Sequence, residues 1–250
     1  MADSTHRPRL VLVHGTRMDA RQWEPYGPLL PGVEVVAPDL PGHGRRTGEP
    51  FTLEAAVRTI ARAVDGADPG QRVILAGHSL GGYMATVYAA QHPGRLDRLV
   101  LVGATADPAG PLTALYRGFA RLVGRSDPER MARATNRVVR WLGARADIAA
   151  RLPGGEAYAA LPAAWQTVME ECGPDLLRSV DCPVVLVNGQ LDQMRLHVRR
   201  FAAAAGGARV ITVPRATHLM PLTHPDRLAQ ILREVALPRG DSGPLPTMGS

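Results

Sequence analysis

A serine set among glycines, Gly77-His78-Ser79-Leu80-Gly81-Gly82, follows the apolar run Val73 to Ala76 and precedes a stretch with helical character. Strand, sharp turn and helix is the context that a nucleophile elbow requires. The flanking glycines permit a strained turn that lifts the Ser79 hydroxyl out of a sheet, and the next helix offers its N-terminal N–H donors to a developing negative charge. A phosphate-binding turn of a Rossmann unit is the competing reading, but the GxGxxG order is missing here and at Val13-His14-Gly15-Thr16. All 29 basic residues are arginine. With no lysine there is no Schiff base, no lysine-bound pyridoxal phosphate and no GxxxxGK phosphate loop. No HxH, HExxH or mixed Cys/His cluster occurs, so neither a catalytic metal nor a cofactor is expected.

The elements that must hold such a serine show in the hydrophobic pattern. Leu10 to Val13, Val33 to Ala37, Val73 to Ala76, Leu99 to Val102, Val184 to Val187 and Val210 to Val213 read as buried strands. Helical text lies between them: Leu53 to Val64 behind the cap residue Thr52, Gly82 to Gln91, and Pro225 to Leu237 with proline at its first position. The alternation predicts an α/β fold, a mostly parallel sheet of about six strands with helices on both faces and a ligand site at the strands' carboxyl ends. It stops between Asp107 and Pro183, where Arg- and Ala-rich helical text predicts an inserted helical cap over 107–182. Residues 1–106 and 183–237 are then the core, and 238–250, rich in Gly, Pro and Ser, a disordered tail. A length of 250 residues with 45% hydrophobic and 21% charged residues suits one large globular domain carrying an insertion.

At this point the sequence resembles the α/β-hydrolase family, from Arg9 to about Leu237. Val13-His14-Gly15-Thr16 looks like the family's oxyanion loop and Pro38-Asp39-Leu40-Pro41-Gly42-His43-Gly44 like its glycine-rich loop. The short segment ahead of Arg9 makes the layout similar to that of plant methylesterases and hydroxynitrile lyases. The resemblance implies a serine esterase with the backbone N–H groups of Thr16 and Leu80 as oxyanion hole. A serine alcohol needs a base and a carboxylate to orient it, in chain order Ser, acid, His. Asn188-Gly189-Gln190-Leu191-Asp192 resembles the family's acid loop and offers Asp192, with Asp107 as the substitute acid. Val213-Pro214-Arg215-Ala216-Thr217-His218 places His218 where the family's catalytic histidine stands; His224 is expected to cap or pack at the final helix. Serine at the elbow disfavours epoxide hydrolase and dehalogenase chemistry, which need an attacking carboxylate, and the missing lysine disfavours a hydroxynitrile lyase. Hydrolysis of a carboxylic ester, thioester or lactone is the expected reaction. C–C bond hydrolysis, acyl transfer, cofactor-free peroxidation and a low-turnover ligand receptor stay open on the same apparatus.

The cap is expected to shape the pocket, with Met18, Trp23, Leu219 and Met220 at its rim; ordinary core packing is the competing reading for these four. From Arg117 to Arg151 nine arginines face three acids, against a formal charge of +6 for the whole chain. Arg130, Arg133, Arg137 and Arg140 fall along one helical face. That face is either a solvated surface or an attraction for an anionic or carrier-bound acyl substrate. Eleven aromatic residues give no stacking platform for nucleic acid, and no run reaches the ~18 apolar residues of a membrane span. With a polar N-terminal segment and two cysteines, Cys172 and Cys182, outside any CxxC pattern, the chain is expected in the cytoplasm with both thiols packing rather than reacting.

Overall fold

The computed structural model describes residues 7–109 and 127–237. The tail predicted over 238–250 and the arginines at 117, 121 and 125 lie outside the described residues. Six strands, β1 (Arg9–Val13), β2 (Glu34–Val36), β3 (Val73–His78), β4 (Arg98–Val102), β5 (Val184–Gly189) and β6 (Arg209–Val213), form one sheet in the order β2-β1-β3-β4-β5-β6. Every neighbouring pair is parallel. The helices are α1 (Leu53–Asp65), α2 (Leu80–Gln91), α3 (Pro128–Trp141), α4 (Leu161–Glu171), α5 (Val198–Ala204) and α6 (Pro225–Ala236), with shorter helical turns that include Ala20–Tyr26 and Gly155–Tyr158. Among the described residues no helix is long and apolar enough to cross a membrane.

The two-residue period of the strands sorts their side chains into two cores. Val11, Val13, Leu75, Leu99, Leu101 and Leu186 pack against α1, α2 and Phe201 of α5. Leu10, Leu12, Ile74, Val100, Val102, Val185 and Val187 face the other way, onto Trp23, Tyr26 and the Leu228, Ile231, Leu232 and Val235 stripe of α6. Each fully buried Leu or Ile contributes roughly 1.5–3 kcal/mol. A sheet buried on both sides explains why its strands read as unbroken apolar runs. Helix α1 starts where Thr52 accepts a hydrogen bond from the Ala55 N–H at 3.2 Å, a cap worth about 1 kcal/mol. Ten of the twelve residues of α2 are buried, so it has no polar stripe, and it docks directly behind the turn that carries Ser79.

Helices α3 and α4 occupy the stretch between β4 and β5. Helix α4 meets the core directly, through Ala164 and Val168 in the cluster that holds α2, and two smaller clusters complete the packing of this stretch. Met18, Val139, Ile148 and Leu222 form one, with Leu219 packed against it; Ala132, Tyr158 and Leu161 form the other, with Trp165 alongside. Helix α5 has no counterpart among the helices the sequence predicts, because VRRFAAA holds one large apolar residue and too short a period to register. Both cysteines are free, and burial raises Cys172 to about 12 and Cys182 to about 11, leaving them as unreactive thiols at neutral pH.

Candidate active site

Parallel strands bring their carboxyl ends to one edge, and the loops that leave β1, β3, β5 and β6 meet there. Ser79 occupies the tight corner between β3 and α2 at φ 52°, ψ −117°. A non-glycine residue in this region costs of order 1–3 kcal/mol, so the surroundings must impose it. The Ser79 N–H donates to the Val102 carbonyl of β4 at 2.9 Å, while the Ser79 carbonyl accepts from Gly82 and Tyr83 at 2.9 and 3.2 Å. Gly81 is required by proximity, since a Cβ there would stand 2.4 Å from the Val13 carbonyl oxygen. Its absence lets the first turn of α2 press against the carbonyls at the end of β1.

Ser79, His218 and Asp192 form a continuous hydrogen-bonded series. His218 Nε2 lies 3.0 Å from Ser79 Oγ, and His218 Nδ1 lies 3.1 and 3.2 Å from the two carboxylate oxygens of Asp192. Asp192 is 3% exposed, and the Met194 N–H donates to its Oδ1 at 2.7 Å. Burial pushes this carboxyl up, but the hydrogen bond and charge of His218 together with the Met194 amide outweigh it and hold the pKa below the usual aspartate value. The acid is thus an anion when the imidazole needs one. Gly103, just beyond β4, sits at φ 58° with the position of its missing Cβ 2.9 Å from Asp192 Oδ2 and 3.0 Å from His218 Nδ1. No other residue fits beneath the pair. Asp107, the alternative acid, is instead ion-paired with Arg200 and accepts from the Ala109 N–H at 3.0 Å. His224 bonds locally to Thr223 Oγ1 at 2.9 Å.

Thr16 and Leu80 line the same cavity as Ser79 and His218. Among the described residues no backbone carbonyl accepts from either amide. His14 shapes this loop from inside, its Nε2 accepting from the Leu40 N–H at 3.0 Å and its Nδ1 donating to the Gly15 carbonyl at 3.0 Å. Burial lowers His14 to about 4, and burial with the nearby His218 lowers His78 to about 3, so both rings are neutral at pH 7. Arg17, at φ 62°, donates to the Tyr158 hydroxyl at 2.7 Å and ties the loop after β1 to the stretch between β4 and β5. Chemically, the set can pass a hydroxyl proton to an imidazole, stabilise the resulting imidazolium with a buried carboxylate, and offer two amides to an oxyanion.

The cavity at the serine has a volume of about 140 Å³, and its described walls are largely apolar. Tyr83, Ala106, Pro108 and Met194 line it from the core, Trp165, Val168 and Met169 from α4. None of the four residues expected at the rim is among them. Trp23 and Met220, each 1% exposed, belong to the core on the α6 face of the sheet, where Trp23 stacks edge-on against Tyr26 at 4.9 Å. Met18 and Leu219 pack beside Val139 of α3 and Ile148. Each is a large apolar residue close in sequence to a site loop, but its side chain turns into the packing that supports the loop. Three of the residues that do line the pocket lie in α4, within the stretch that reads in sequence only as Arg- and Ala-rich helical text. A larger cavity of about 710 Å³ opens near Asp19, Arg21, Asp39 and Arg45, but Asp19 is paired with Arg21 and Asp39 with Arg45, and no serine, threonine or cysteine is among its described lining residues.

The comparison with known proteins agrees with this architecture. Residues 10–231 match the Alpha/beta hydrolase family. The chain is 29% identical over 246 residues to a pimeloyl-[acyl-carrier protein] methyl ester esterase of Neisseria meningitidis serogroup A, covering 90% of this chain and 76% of that one. It is 37% identical over 102 residues to lipase LipV of Mycobacterium tuberculosis, a match covering 40% of this chain and 37% of the lipase. A thermophilic esterase from Thermogutta terrifontis superposes with a TM-score of 0.73 at 25% identity, over 92% of this chain and 89% of that one. Because the family match runs from β1 into α6 and so takes in all six strands and the loops that converge on Ser79, the chain belongs to the alpha/beta hydrolase family and is a hydrolase.

Proposed function

We propose that the protein hydrolyses a carboxylic ester, or a thioester or lactone, through an acyl-enzyme on Ser79. His218 takes the serine proton, Asp192 holds the imidazole, and the carbonyl oxygen rests against the Thr16 and Leu80 amides as the tetrahedral centre forms. His218 returns the proton to the leaving alcohol; water then attacks the acyl group with His218 again as base. The observation that carries this reading is the unbroken Ser79–His218–Asp192 contact at 3.0 and 3.1 Å beneath a serine at positive φ. The pocket walls favour a small, uncharged acyl group, since Trp165, Val168, Met169 and Met194 surround the position it takes.

The substrate's other end extends past the cap, where an anionic or carrier-bound molecule suits the surface. Arg137 and Arg140 of α3 stand in solvent beside Trp141, which is 82% exposed, and the ion pairs of Arg130 and Arg133 with Asp127 and Glu129 are long, at 3.9 and 4.0 Å. Similarity to esterases named for an acyl-carrier-protein substrate supports the same choice. A fluorophosphonate probe followed by intact-mass analysis tests the mechanism: one adduct is expected, absent in Ser79→Ala. Labelling that persists in that variant refutes it. For the partner, kcat/KM on anionic against neutral acyl esters is compared across salt concentration; a ratio independent of salt removes the electrostatic contribution.

A further inference from the structure

A second row of hydrogen bonds runs behind the Ser79–His218–Asp192 series, through two buried side chains that the reaction itself does not use. His78 Nε2 lies 3.0 Å from the main-chain carbonyl of His218, Gln22 Nε2 lies 3.4 Å from His78 Nδ1, and the Gly15 N–H donates to Gln22 Oε1 at 3.2 Å. Gln22 and His78 are 2% and 4% exposed. The direction of every bond is fixed by elementary donor and acceptor chemistry. The His218 carbonyl can only accept, so His78 Nε2 carries the hydrogen. His78 Nδ1 is then bare and must accept, which requires the amide nitrogen of Gln22 on that side. The Gln22 oxygen is left facing an N–H, which it satisfies. Turning the amide over sets oxygen against a bare ring nitrogen and nitrogen against an N–H, so one orientation alone satisfies the row.

We infer that Gln22 and His78 are positioning residues for the proposed reaction, joining the loop that carries the base to the loop that carries an oxyanion donor. Each end of the row is one covalent step from the chemistry: His218 supplies the imidazole, and Gly15 precedes Thr16. Its middle member precedes the nucleophile in the chain. The His78 and His218 rings stand 5.0 Å apart, so a neutral His78 leaves the imidazolium formed in turnover without a second positive charge beside it. Gly15 is part of the same fit, since a Cβ at that position would come 2.6 Å from His78 Nδ1. The inference rests on Ser79 as nucleophile and His218 as base.

The test is steady-state hydrolysis of p-nitrophenyl acetate and butyrate by single and double variants, with thermal midpoints measured on each. His78→Leu removes the donor to His218 and is expected to lower kcat roughly 10- to 100-fold with KM moving less than about three-fold, as misplacement of a bound catalytic group does. His78→Gln, whose amide nitrogen reaches the same carbonyl, is expected to recover kcat to within about five-fold of the parent. Gln22→Met is expected to lower kcat about 10-fold, and the Gln22→Met/His78→Leu double variant to be no worse than His78→Leu, because one break already severs the row. Losses that multiply, a His78→Gln variant as slow as His78→Leu, or kcat within about two-fold of the parent in Gln22→Met and His78→Leu overturn the inference. Should His78→Leu fail to fold, Gln22→Met and His78→Gln decide it, and parental kcat in Gln22→Met refutes it. Ser79→Ala separates the two levels: turnover there defeats the nucleophile assignment, whereas its loss with parental kcat in the other variants defeats only the positioning role.

Discussion

Replacing Asp192 by asparagine tests the site at its most buried member, and the hydrogen bonds fix what the new side chain must do. The Met194 N–H donates to Asp192 Oδ1 at 2.7 Å, so the amide oxygen of Asn stays there. Its NH₂ group then takes the place of Oδ2, 3.2 Å from His218 Nδ1. A donor facing Nδ1 drives the ring hydrogen to Nε2, which points at Ser79 Oγ from 3.0 Å. The base becomes a donor in the wrong place, with the geometry barely changed. Loss of kcat by about 10⁴, or roughly 5 kcal/mol of transition-state stabilisation, is expected from this tautomer error. The assay is p-nitrophenyl ester turnover on Asp192→Asn and, in parallel, Asp107→Asn, with circular dichroism to verify folding. Asp107 is bound to Arg200 rather than to the imidazole, so its variant is expected within about three-fold of the parent in kcat. An Asp192→Asn variant retaining more than about a tenth of parental kcat, or an Asp107→Asn variant that is the slower of the two, refutes the assignment of the acid.

Further outcomes follow from the same contacts. His14 and His78, lowered to about 4 and about 3 from 6.5, bind protons more readily when unfolded, so their contribution to stability is complete above about pH 6.5 and drains as pH falls toward 4. Two such groups give a slope of up to about 2.7 kcal/mol per pH unit, read from urea midpoints at pH 8, 6 and 5; a flat profile contradicts it. Asp39 and Asp192, both held below the usual aspartate value, act in the same direction only at lower pH. Gly103→Ala combines positive φ with crowding of Asp192 and His218, and is expected to cost about 1–2 kcal/mol of stability and most of kcat; unchanged activity removes the steric argument. Trp23→Phe is expected to lower the thermal midpoint while leaving the acyl-length preference alone, whereas Met169→Ala shifts that preference toward longer chains. The opposite pattern on a panel of acetate to octanoate esters returns Trp23 to the pocket.

The parallel sheet was legible because both its faces are buried. Runs such as Val73 to Ala76 and Val184 to Val187 have no polar interruption, and the strand-turn-helix context of Ser79 follows directly from the glycines around it. Asp192 and His218 were reachable because each lies in the loop after a strand, where topology leaves few competing positions. The pocket was not legible, since whether an apolar side chain near a loop faces a cavity or a core depends on a rotation that sequence does not encode. Trp23 and Met220 turned inward, and Trp165 and Met169 turned toward the serine from a helix separated from it by more than 80 positions. Gln22 and His78 stayed hidden for another reason: their value lies in a matched order of donors and acceptors across three loops, and each residue alone carries no spacing signal.

Strand β6 closes the sheet on one side, pairs among the described residues with β5 alone, and shows exposed or partly exposed residues along most of its length. His218 hangs five residues beyond its end, at Val213. Fraying of this margin withdraws the imidazole while the central strands are still joined, because an edge strand is held from one side. Mild heat or dilute denaturant should therefore silence turnover well ahead of the change in fluorescence from the deeply buried indole at position 23. Turnover in this molecule is a gauge of the one border that carries the imidazole, and stitching that border more tightly is a route to a longer working life.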